Sequence, residues 1–523
     1  MTTREDRLRE LGDASITWDV LVIGGGASGL GCAVEAASRG YRTALVERTD
    51  FAKGTSSRST KLAHGGVRYL EQMNLTLVLD ALQERGRMLR NAPHLVHDLS
   101  FVVPAYDWTA LPYYGFGLKV YEWMSGKLSL GTSHLLSREE ASKLLPGAAR
   151  HDLRGGILYH DGQFDDSRFA MALMRTLEDL GGVALNYCEV TSLIEDKGQI
   201  RGAYVRDRES GAELELHARV VINATGVNVG TVLAMDGQPN QALLSVSQGT
   251  HFVLPSDYLP GNTAMMIPKT SDGRVLFAIP WQGATLVGTT DEPVEQGAEE
   301  PRALPVERNF LLEHIAKYMG RTPQSNEIQS VWSGQRPLVR HGSGKTSQLS
   351  RDHKVILSPS GLVTITGGKW TTYRRMGEDT INKAAEAAGL AKQPSRTATL
   401  KLHAALDVPL AEASKWEQVY GSDLPSLVAL SDERPELNEL LHPALPYRAR
   451  EVVWAARHEL ARTTEDILAR RTHALLLNAR AAIEAAPKVS ALLAAELGRT
   501  AEQQQADLDA FLANAQGYVY REA

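Results

Sequence analysis

The sequence is poor in cysteine, has no long apolar segment and carries no excess of basic residues. Its 523 residues include only two cysteines, Cys32 and Cys188, and neither stands in a CxxC or CxxH spacing. This pattern argues against a zinc or iron–sulfur site and is typical of a reducing compartment. The 56 basic and 62 acidic side chains give a formal net charge of −6, which argues against a general nucleic-acid binder.

The chain also lacks the marks of export and membrane insertion. Its first residues, MTTREDRLRELGD, are charged and contain no apolar signal-peptide core. The longest apolar candidate, VLVIGGGASGLGCAV, is interrupted by glycines and ends at Glu35, so we do not expect a membrane-spanning helix. Peripheral attachment to a membrane surface stays open.

Up to about residue 395, short apolar runs alternate with helical patterns, which predicts an α/β fold. The runs typical of strands are 20–23, 43–46, 220–222 and 362–366. Between residues 189 and 222, shorter alternating runs are separated by DKGQ and ESGA, which predicts a small antiparallel meander. From about residue 396 the chain is rich in Ala, Leu, Arg and Glu, which predicts a separate helical domain with a helix cap at Thr463 and Asp466.

A glycine fingerprint follows the first predicted strand. Gly24, Gly26 and Gly29 stand in G-x-G-x-x-G spacing, a helical stretch follows from residue 30 to 38, and the next strand ends in Glu47. The glycines suit a tight turn, close approach to a pyrophosphate and close packing of helix on strand, and the acid suits ribose hydroxyls. The pattern predicts a bound dinucleotide, FAD or NAD rather than NADP.

Two later segments favour FAD. The strand RVVINATG ends at Thr225 and Gly226, and the strand LVTITGG ends at Gly368 before a predicted helix. Three distant segments that converge on one cofactor suit a long, extended ligand. The positive end of the helix after Gly368 would stabilise reduced flavin at its pyrimidine ring.

With these motifs, the chain resembles the FAD-dependent glycerol-3-phosphate dehydrogenases over nearly its whole length. The matching motifs are GTSSRSTKLAHGGVRYLE (54–71), GTHFVL (249–254), IPW and GTTD (279–291), SGQRPL (333–338), SRDH (350–353), TGGKWTTYR (366–374) and EVVWAARHELARTTEDILARRT (451–472). The wider FAD family, which includes amino-acid and sarcosine oxidases, shares the fingerprint but not this set.

The resemblance implies an α/β (α+β) fold in three parts. A Rossmann-type FAD-binding domain is expected from residues 17–80, 155–235 and 335–395 of the region 17–395. A substrate or cap domain with an antiparallel sheet is expected from residues 81–154 and 236–334. An all-helical domain is expected from residues 396–523.

The resemblance also implies the reaction. It is the oxidation of sn-glycerol 3-phosphate to dihydroxyacetone phosphate, with a hydride passing from C2 to N5 of FAD and electrons then passing to a membrane quinone. The implied setting is a homodimer bound peripherally to the cytoplasmic face of the cell membrane. An oxidase that passes electrons to oxygen, an amine or amino-acid oxidase, and a non-catalytic flavoprotein remain alternatives.

The matched motifs supply the expected catalytic and substrate-binding residues. Either His251 or Arg336 is expected to handle the hydroxyl, as proton acceptor or as electrostatic stabiliser. Substrate binding is expected from positive and polar side chains that suit a phosphate dianion. These are Arg68, Tyr69, Arg336, Arg351 and Lys369.

The cofactor contacts implied by the resemblance surround the fingerprint and the two later strand ends. No metal is expected. The expected FAD-binding residues are Gly24, Gly26, Ala27, Ser28, Gly29, Glu47, Arg48, Ser57, Ser59, Thr60, Lys61, Leu62, His64, Gly65, Gly66, Val190, Thr225, Gly226, Gly368, Lys369 and Thr371.

Two departures and one aromatic segment stand apart from this pattern. Gln248 occupies a position where many relatives carry lysine, which puts one charged contact in doubt, and Val227-Asn228 replaces a common Pro-Trp near the cofactor. Between residues 101 and 123 the chain carries eight aromatic residues. This segment suits packing or, as a sharper hypothesis, a membrane-facing or quinone-access surface helped by Lys119 and Lys127. The eight are Phe101, Tyr106, Trp108, Tyr113, Tyr114, Phe116, Tyr121 and Trp123.

Overall fold

The structure is a computed structural model. It describes residues 3–65, 75–106, 115, 117–119, 121–122, 124, 130–238, 244–268, 270, 273–339, 352–408, 414 and 416–522.

The strands of these residues form two sheets. They are β1 (Thr17–Ile23), β2 (Thr43–Val46), β3 (Leu62–Ala63), β4 (Val96–Ala105), β5 (His134–Ser137), β6 (Gly155–Phe164), β7 (Val183–Leu185), β8 (Cys188–Asp196), β9 (Gln199–Asp207), β10 (Glu213–Asn223), β11 (Leu244–Pro255), β12 (Ala264–Ile267), β13 (Leu276–Trp281), β14 (Ala284–Gly288), β15 (Glu292–Val294), β16 (Ser330–Val339), β17 (His353–Leu357) and β18 (Val363–Gly367).

Helices cover the sheets and make up the end of the chain. They are α1 (Arg4–Leu11), α2 (Ala27–Ser38), α3 (Leu75–Asn91), α4 (Arg138–Leu144), α5 (Asp166–Asp179), α6 (Val229–Met235), α7 (Pro305–Met319), α8 (Tyr373–Ala387), α9 (Leu424–Glu433), α10 (Ala449–His458), α11 (Ala474–Leu477), α12 (Ala479–Leu497) and α13 (Ala501–Ala515).

The first sheet has the order β17-β18-β10-β1-β2-β7, with β18 to β7 parallel to one another. Val20 and Val22 of β1 pack with residues of α2, α5 and α8 on one face, whereas Leu21 and Ile23 pack toward the meander on the other. Burial on both faces explains why this strand reads as an uninterrupted apolar run. The predicted strands at 20–23, 43–46, 220–222 and 362–366 are confirmed.

The predicted meander is also confirmed. Strand β8 pairs antiparallel with β9, and β9 pairs antiparallel with β10. The chain turns between them at the DKGQ and ESGA segments. Strand β10 then enters the first sheet beside β1, so its carboxyl end lies next to the fingerprint.

The second sheet has the order β15-β11-β14-β13-β12-β4-β6-β3, with β16 added to β11 and β5 to β6. Its pairs are antiparallel except β12 with β4. Strands β3 and β6 belong to this sheet, although their residues fall in segments that the sequence assigned to the FAD domain. The fold class predicted from the sequence is therefore confirmed. The chain passes between the two sheets more often than the expected segments imply.

The predicted helical character of the C-terminal region is confirmed. Helices α9 to α13 fill residues 424–515, and apolar residues of α12 such as Ala482, Ala486 and Val489 share a core with Trp281 and Trp332 of the second sheet. Among the described residues, no helix combines the length and the apolar character that crossing a bilayer requires.

The predicted cap at Thr463 forms, but the turn that follows is a π-helix over Asp466–Arg471. The Asp466 N–H donates to Thr463 Oγ1 at 3.1 Å, and the Thr463 N–H donates to Asp466 Oδ2 at 3.0 Å. This turn directs two successive arginines onto one buried carboxylate. Arg470 Nε donates to Asp50 Oδ2 at 2.6 Å, and Arg471 donates to both Asp50 oxygens at 2.7 and 2.9 Å.

The two cysteines are buried in the first sheet's surroundings and are not paired with each other. Burial raises the pKa of each thiol, Cys32 and Cys188, to about 12. Both are therefore protonated near neutral pH and have little nucleophilic character.

Candidate functional site

One long cavity of about 520 Å³ runs along the junction of the two sheets. The fingerprint turn and the residues after β2 form one group of lining residues, called here the FAD end. Residues of β11, β16 and the segment after β18 form a second group, called here the inner end. Parallel strands bring their carboxyl ends to one edge of a sheet, and this is why segments distant in sequence meet here.

The fingerprint turn lies at one wall of the cavity. Gly24 has φ of +111°, which favours glycine, and a Cβ on Gly29 would collide with the carbonyl oxygen of Gly24. Helix α2 begins at Ala27, three residues before the predicted start, so the N–H groups of its first turn face this end of the cavity. The Ala27 N–H donates to Ser56 Oγ at 2.9 Å, a contact that the sequence alone did not indicate.

Glu47 is held in place by its neighbours. Its carboxylate accepts from the Gly25 N–H at 2.7 Å and from the N–H and hydroxyl of Thr49 at 2.9 and 3.1 Å. Both Glu47 and Arg48 line the cavity. An acid fixed beside a glycine turn is suited to ribose hydroxyls.

The segment 54–65 closes over the cavity, but its predicted residues do not all face it. Ser59, Thr60, Leu62 and His64 line the cavity, whereas Ser57, Lys61 and Gly65 do not. The Lys61 side chain was expected to contact the cofactor. It is instead fully buried beneath the wall, because its ammonium donates to both oxygens of Asp166 at 2.8 Å.

The two later strand ends meet the cavity as predicted by their motifs. Thr225 and Gly226 follow β10, and Gly368, Lys369 and Thr371 follow β18. Val190 of β8 also lines the cavity, and Gly29 supports it from within α2. The helix expected after Gly368 begins as a 3₁₀ turn over Trp370–Thr372 and continues as α8.

His251 lies on β11 with its imidazole buried against Trp332, at a ring-centroid distance of 4.2 Å. Its Nε2 is 2.9 Å from Thr60 Oγ1, and its Nδ1 has no hydrogen-bond partner among the described residues. Burial, together with the positive charges of Arg336 and Lys61, holds the pKa of His251 well below its usual value. The ring is therefore neutral at neutral pH and able to accept a proton.

Arg336 lies on β16, directly opposite Ser247 of β11. Because residues 247 and 251 differ by four along one strand, they point to the same face, and Arg336 reaches the cavity beside His251. Its guanidinium donates to the Thr290 carbonyl at 3.3 Å and to Thr289 Oγ1 at 3.1 Å. Asp291 Oδ1 lies 3.6 Å from Nη1, so the charge is oriented as well as balanced.

The expected substrate residues are only partly within the described structure. Lys369 lines the cavity with His251 and Arg336. Arg68, Tyr69, Arg351 and the cofactor residue Gly66 lie outside the described residues. Five members of the aromatic segment, and Lys127, also lie outside the described residues. Of the other members of this segment, Phe101 and Tyr121 are buried and Tyr106 is half-buried. Lys119 is exposed. The five are Trp108, Tyr113, Tyr114, Phe116 and Trp123.

The two departures from the family pattern have different surroundings. Gln248 is buried and lies behind the cavity, where its amide donates to Glu307 Oε2 and to the Arg302 carbonyl, each at 2.8 Å. Glutamine in place of the lysine of many relatives therefore changes the residues that support the cavity wall from behind. Val227 and Asn228 do line the cavity.

Sequence reasoning missed several cavity residues. Asp161, Arg274 and Phe277 line the cavity, and none of them stands in a quoted motif. Arg274 pairs with Glu292 at 2.6 Å and lies over the ring of Phe310. The available signal for Arg274 was its place just before the IPW strand.

Known proteins resemble the chain throughout. Residues 19–374 match the FAD dependent oxidoreductase family, and residues 365–504 match the C-terminal domain of alpha-glycerophosphate oxidase. The chain is 39% identical to mitochondrial glycerol-3-phosphate dehydrogenase of Rattus norvegicus, over 99% of this chain and 76% of that protein.

Two solved structures have the same fold. Glycerol-3-phosphate dehydrogenase from Bacillus halodurans, complexed with FAD, gives a TM-score of 0.80 at 27% identity and covers 100% of this chain and 99% of its own. L-alpha-Glycerophosphate oxidase from Mycoplasma pneumoniae, with FAD bound, gives a TM-score of 0.56 at 17% identity and covers 73% of this chain and 97% of its own. This second likeness concerns the fold alone. The chain belongs to the FAD-dependent glycerol-3-phosphate dehydrogenase family, and FAD is its cofactor.

Proposed function

We propose that this member of the family oxidises sn-glycerol 3-phosphate to dihydroxyacetone phosphate in the cavity and passes the electrons to a membrane quinone. The observation that carries the proposal is the placement of a neutral His251 beside the cationic Arg336 at the inner end of the FAD cavity. A secondary alcohol that bears a phosphate dianion needs both a proton acceptor and fixed positive charge.

Bound FAD supplies the hydride acceptor. The chain's own part is to hold it in the extended cavity. The first turn of α2, with Gly26 and Ser28, would bind the pyrophosphate, and Glu47 would bind the ribose. Lys369 and Thr371 would hold the flavin end.

His251 is the residue that we assign to the hydroxyl proton. Its buried ring is kept neutral, and its Nε2 is hydrogen-bonded to Thr60 Oγ1. For Nδ1 to accept the proton, Nε2 must carry the ring proton and donate it to Thr60. Nδ1 has no hydrogen-bond partner among the described residues and is buried, so the substrate hydroxyl would have to displace neighbouring atoms to reach it.

Arg336 is the residue that we assign to the oxygen as it becomes negative. Its guanidinium is oriented by Thr289, Thr290 and Asp291 before the substrate arrives, so little reorganisation is needed. Lys369 is assigned to the phosphate, and the family resemblance adds Arg68, Tyr69 and Arg351. Arg274 is a further positive side chain on the same cavity.

The acceptor and the setting are part of the proposal. The mitochondrial relative is named as a dehydrogenase of this substrate, and the oxidase shares only the fold, which favours a quinone over oxygen. We propose a homodimer bound peripherally to the cytoplasmic face of the cell membrane, with the aromatic segment as its contact. Liposome flotation of a Trp108→Ser/Phe116→Ser/Trp123→Ser variant tests that contact, and unchanged flotation would reject it.

The reaction is tested by adding sn-glycerol 3-phosphate to the yellow protein without oxygen. We expect the absorbance of oxidised flavin to bleach, and no bleaching of FAD-loaded protein would reject the substrate and direct attention to amino acids. The acceptor is tested separately. Reoxidation by a short-chain quinone without hydrogen peroxide supports the dehydrogenase, whereas rapid peroxide production in air identifies an oxidase.

A further inference from the structure

The buried ion pair between Lys61 and Asp166 has no part in the reaction as described so far. Both side chains are fully buried. The Lys61 ammonium donates to both Asp166 oxygens at 2.8 Å and to the Ser57 carbonyl at 2.7 Å, so its three protons all have acceptors. A buried ion pair is weak evidence for stability, because desolvation offsets most of the attraction. Its position suggests another role.

The pair fixes the turn that carries Thr60. Asp166 Oδ2 accepts from the Ser59 N–H at 3.2 Å and from the Ser59 hydroxyl at 2.7 Å. The Lys61 N–H donates back to Ser59 Oγ at 3.0 Å, and Lys61 itself has φ of +62°. Thr60 stands between these two anchored residues.

The same turn sets the surroundings of His251. Thr60 Oγ1 lies 2.9 Å from His251 Nε2. The imidazole stacks on Trp332, and the ring centroid of the same Trp332 lies 5.1 Å from Lys61 Nζ. Lys61 is therefore joined to His251 both through the Thr60 hydroxyl and through Trp332.

We propose that the Lys61–Asp166 pair is a positioning device for His251, which holds the Thr60 hydroxyl against the imidazole and places a positive charge behind it. This inference rests on the proposed function, because it assigns the pair a role in the same proton transfer. Lys61 and Asp166 are positioning residues. They touch neither the cavity nor the reacting atoms.

Among the described residues, few charged side chains lie near His251 and the Lys61–Asp166 pair. His251 is faced by Arg336 and Lys61, both of which favour its neutral form. Lys61 is faced by Asp166, and close to that carboxylate lie Asp165 and His473, which are joined at 2.6 Å. Of the two cations that face His251, Lys61 is the one that does not line the cavity.

The test compares a Lys61→Met/Asp166→Asn double variant with the wild-type holoenzyme. Replacing both charges avoids leaving one of them buried alone, and asparagine can still accept from Ser59. We expect the anaerobic rate of flavin reduction to fall on the order of 10-fold with little change in substrate affinity, because the base is misplaced while the phosphate contacts remain. We also expect the acidic limb of the rate profile to move to higher pH by about one unit, because a positive charge beside His251 is lost.

An Arg4→Met/Asp207→Asn double variant is the matched control. Arg4 is also buried in an ion pair, with Asp207 at 2.5 Å, but it lies outside the cavity lining. We expect it to leave the rate and the acidic limb unchanged. A double variant that binds FAD and keeps the wild-type rate and limb would overturn the proposal.

Two further measurements separate the outcomes. If the double variant does not fold, Ser59→Ala removes the hydroxyl that links Asp166 to the Lys61 N–H and keeps both charges, so an unchanged rate of flavin reduction there would overturn the proposal. If wild-type protein is not reduced by the substrate, the proposed function fails, and the positioning role is read from the pKa of His251 by NMR titration. A pKa equal in wild type and double variant would then overturn it.

Discussion

The two ends of the cavity are built in different ways. At the FAD end, the contacts are made by backbone N–H groups and by residues close in sequence, such as Gly25 with Glu47 and Ala27 with Ser56. At the inner end, His251 depends on Thr60, 191 residues away. A cofactor site made from backbone geometry is sensitive to glycine changes, whereas a reaction site made from long-range side-chain pairs is sensitive to loss of single functional groups.

The substitution with the largest expected effect disrupts FAD binding alone. A Gly29→Val substitution places a Cβ against the carbonyl oxygen of Gly24, so the turn cannot close and we expect purified protein without FAD. The measurement is flavin absorbance per mole of protein. Gly230→Ala in α6 is the matched control, because an added methyl there meets nothing within 4 Å, and it should keep full FAD. Full FAD in Gly29→Val would contradict the account of the turn.

His251→Gln should do the opposite, leaving FAD bound and slowing its reduction. Removal of a proton acceptor costs about 10²- to 10⁴-fold in rate. In wild type the acidic limb should lie well below pH 6.5, because burial and two positive charges lower the pKa of His251, and the rate is lost only as pH falls through that pKa. The variant should lack this limb in stopped-flow measurements. The half-buried His217, which pairs with Glu215 outside the cavity lining, should behave as wild type when it is changed to Gln.

Arg336→Met should also keep FAD and should slow reduction by about 10²- to 10³-fold, the range for loss of one preorganised donor. Substrate affinity should change less than the rate, because the phosphate is assigned to Lys369 and not to Arg336. Arg206→Met, at an exposed position on the central strand of the meander, is the control. An Arg336→Met enzyme with the wild-type rate would remove this residue from the reaction end.

The smallest effect tests whether a third region is independent of both ends. His403 Nδ1 lies 2.7 Å from Asp179 Oδ2 of α5, and His403 Nε2 lies 2.9 Å from Asp423 Oδ2. Burial opposes protonation of His403, but the hydrogen bonds to the two carboxylates outweigh burial and raise the pKa of His403 to about 9. A raised folded-state pKa stabilises the protein fully below the unfolded value of about 6.5, and this contribution is lost as pH rises through about 9.

His403→Gln should therefore lower the free energy of unfolding by about 1 kcal/mol below pH 6.5, a value reduced by the solvent around Asp179. The loss should vanish above pH 9, and FAD content and rate should stay unchanged. Urea unfolding at both pH values provides the measurement. An equal loss at both pH values would show that charge is not the cause.

The FAD end was predictable because its determinants are local. The order of strand, glycine turn, helix, strand and acid is written within residues 19–47, and the meander is marked by its two turns. The strand ends at Thr225 and Gly368 were also recognisable. Their convergence follows from the parallel order of the first sheet.

The inner end was less predictable for a physical reason. Lys61 stands in a motif rich in cofactor contacts, but its partner, Asp166, lies 105 residues away in the first turn of a helix, where an acid is an ordinary capping residue. Arg274 and Asp161 carry no motif. Gln248 was linked to the substrate by analogy, and only the packing of α7 shows that its partner is Glu307. Partners brought together by tertiary pairing leave no trace in local spacing.

The contact of Arg470 and Arg471 with Asp50 has a consequence for how the protein is made. Asp50 and Arg470 are 420 residues apart, and at ordinary elongation rates of 5–20 residues per second the ribosome needs about 20 to 80 s between them. During this interval the carboxylate of Asp50 has been synthesised, while the two cations that neutralise it have not. The buried face around Asp50 can therefore be completed only after Arg470 and Arg471 have left the ribosome.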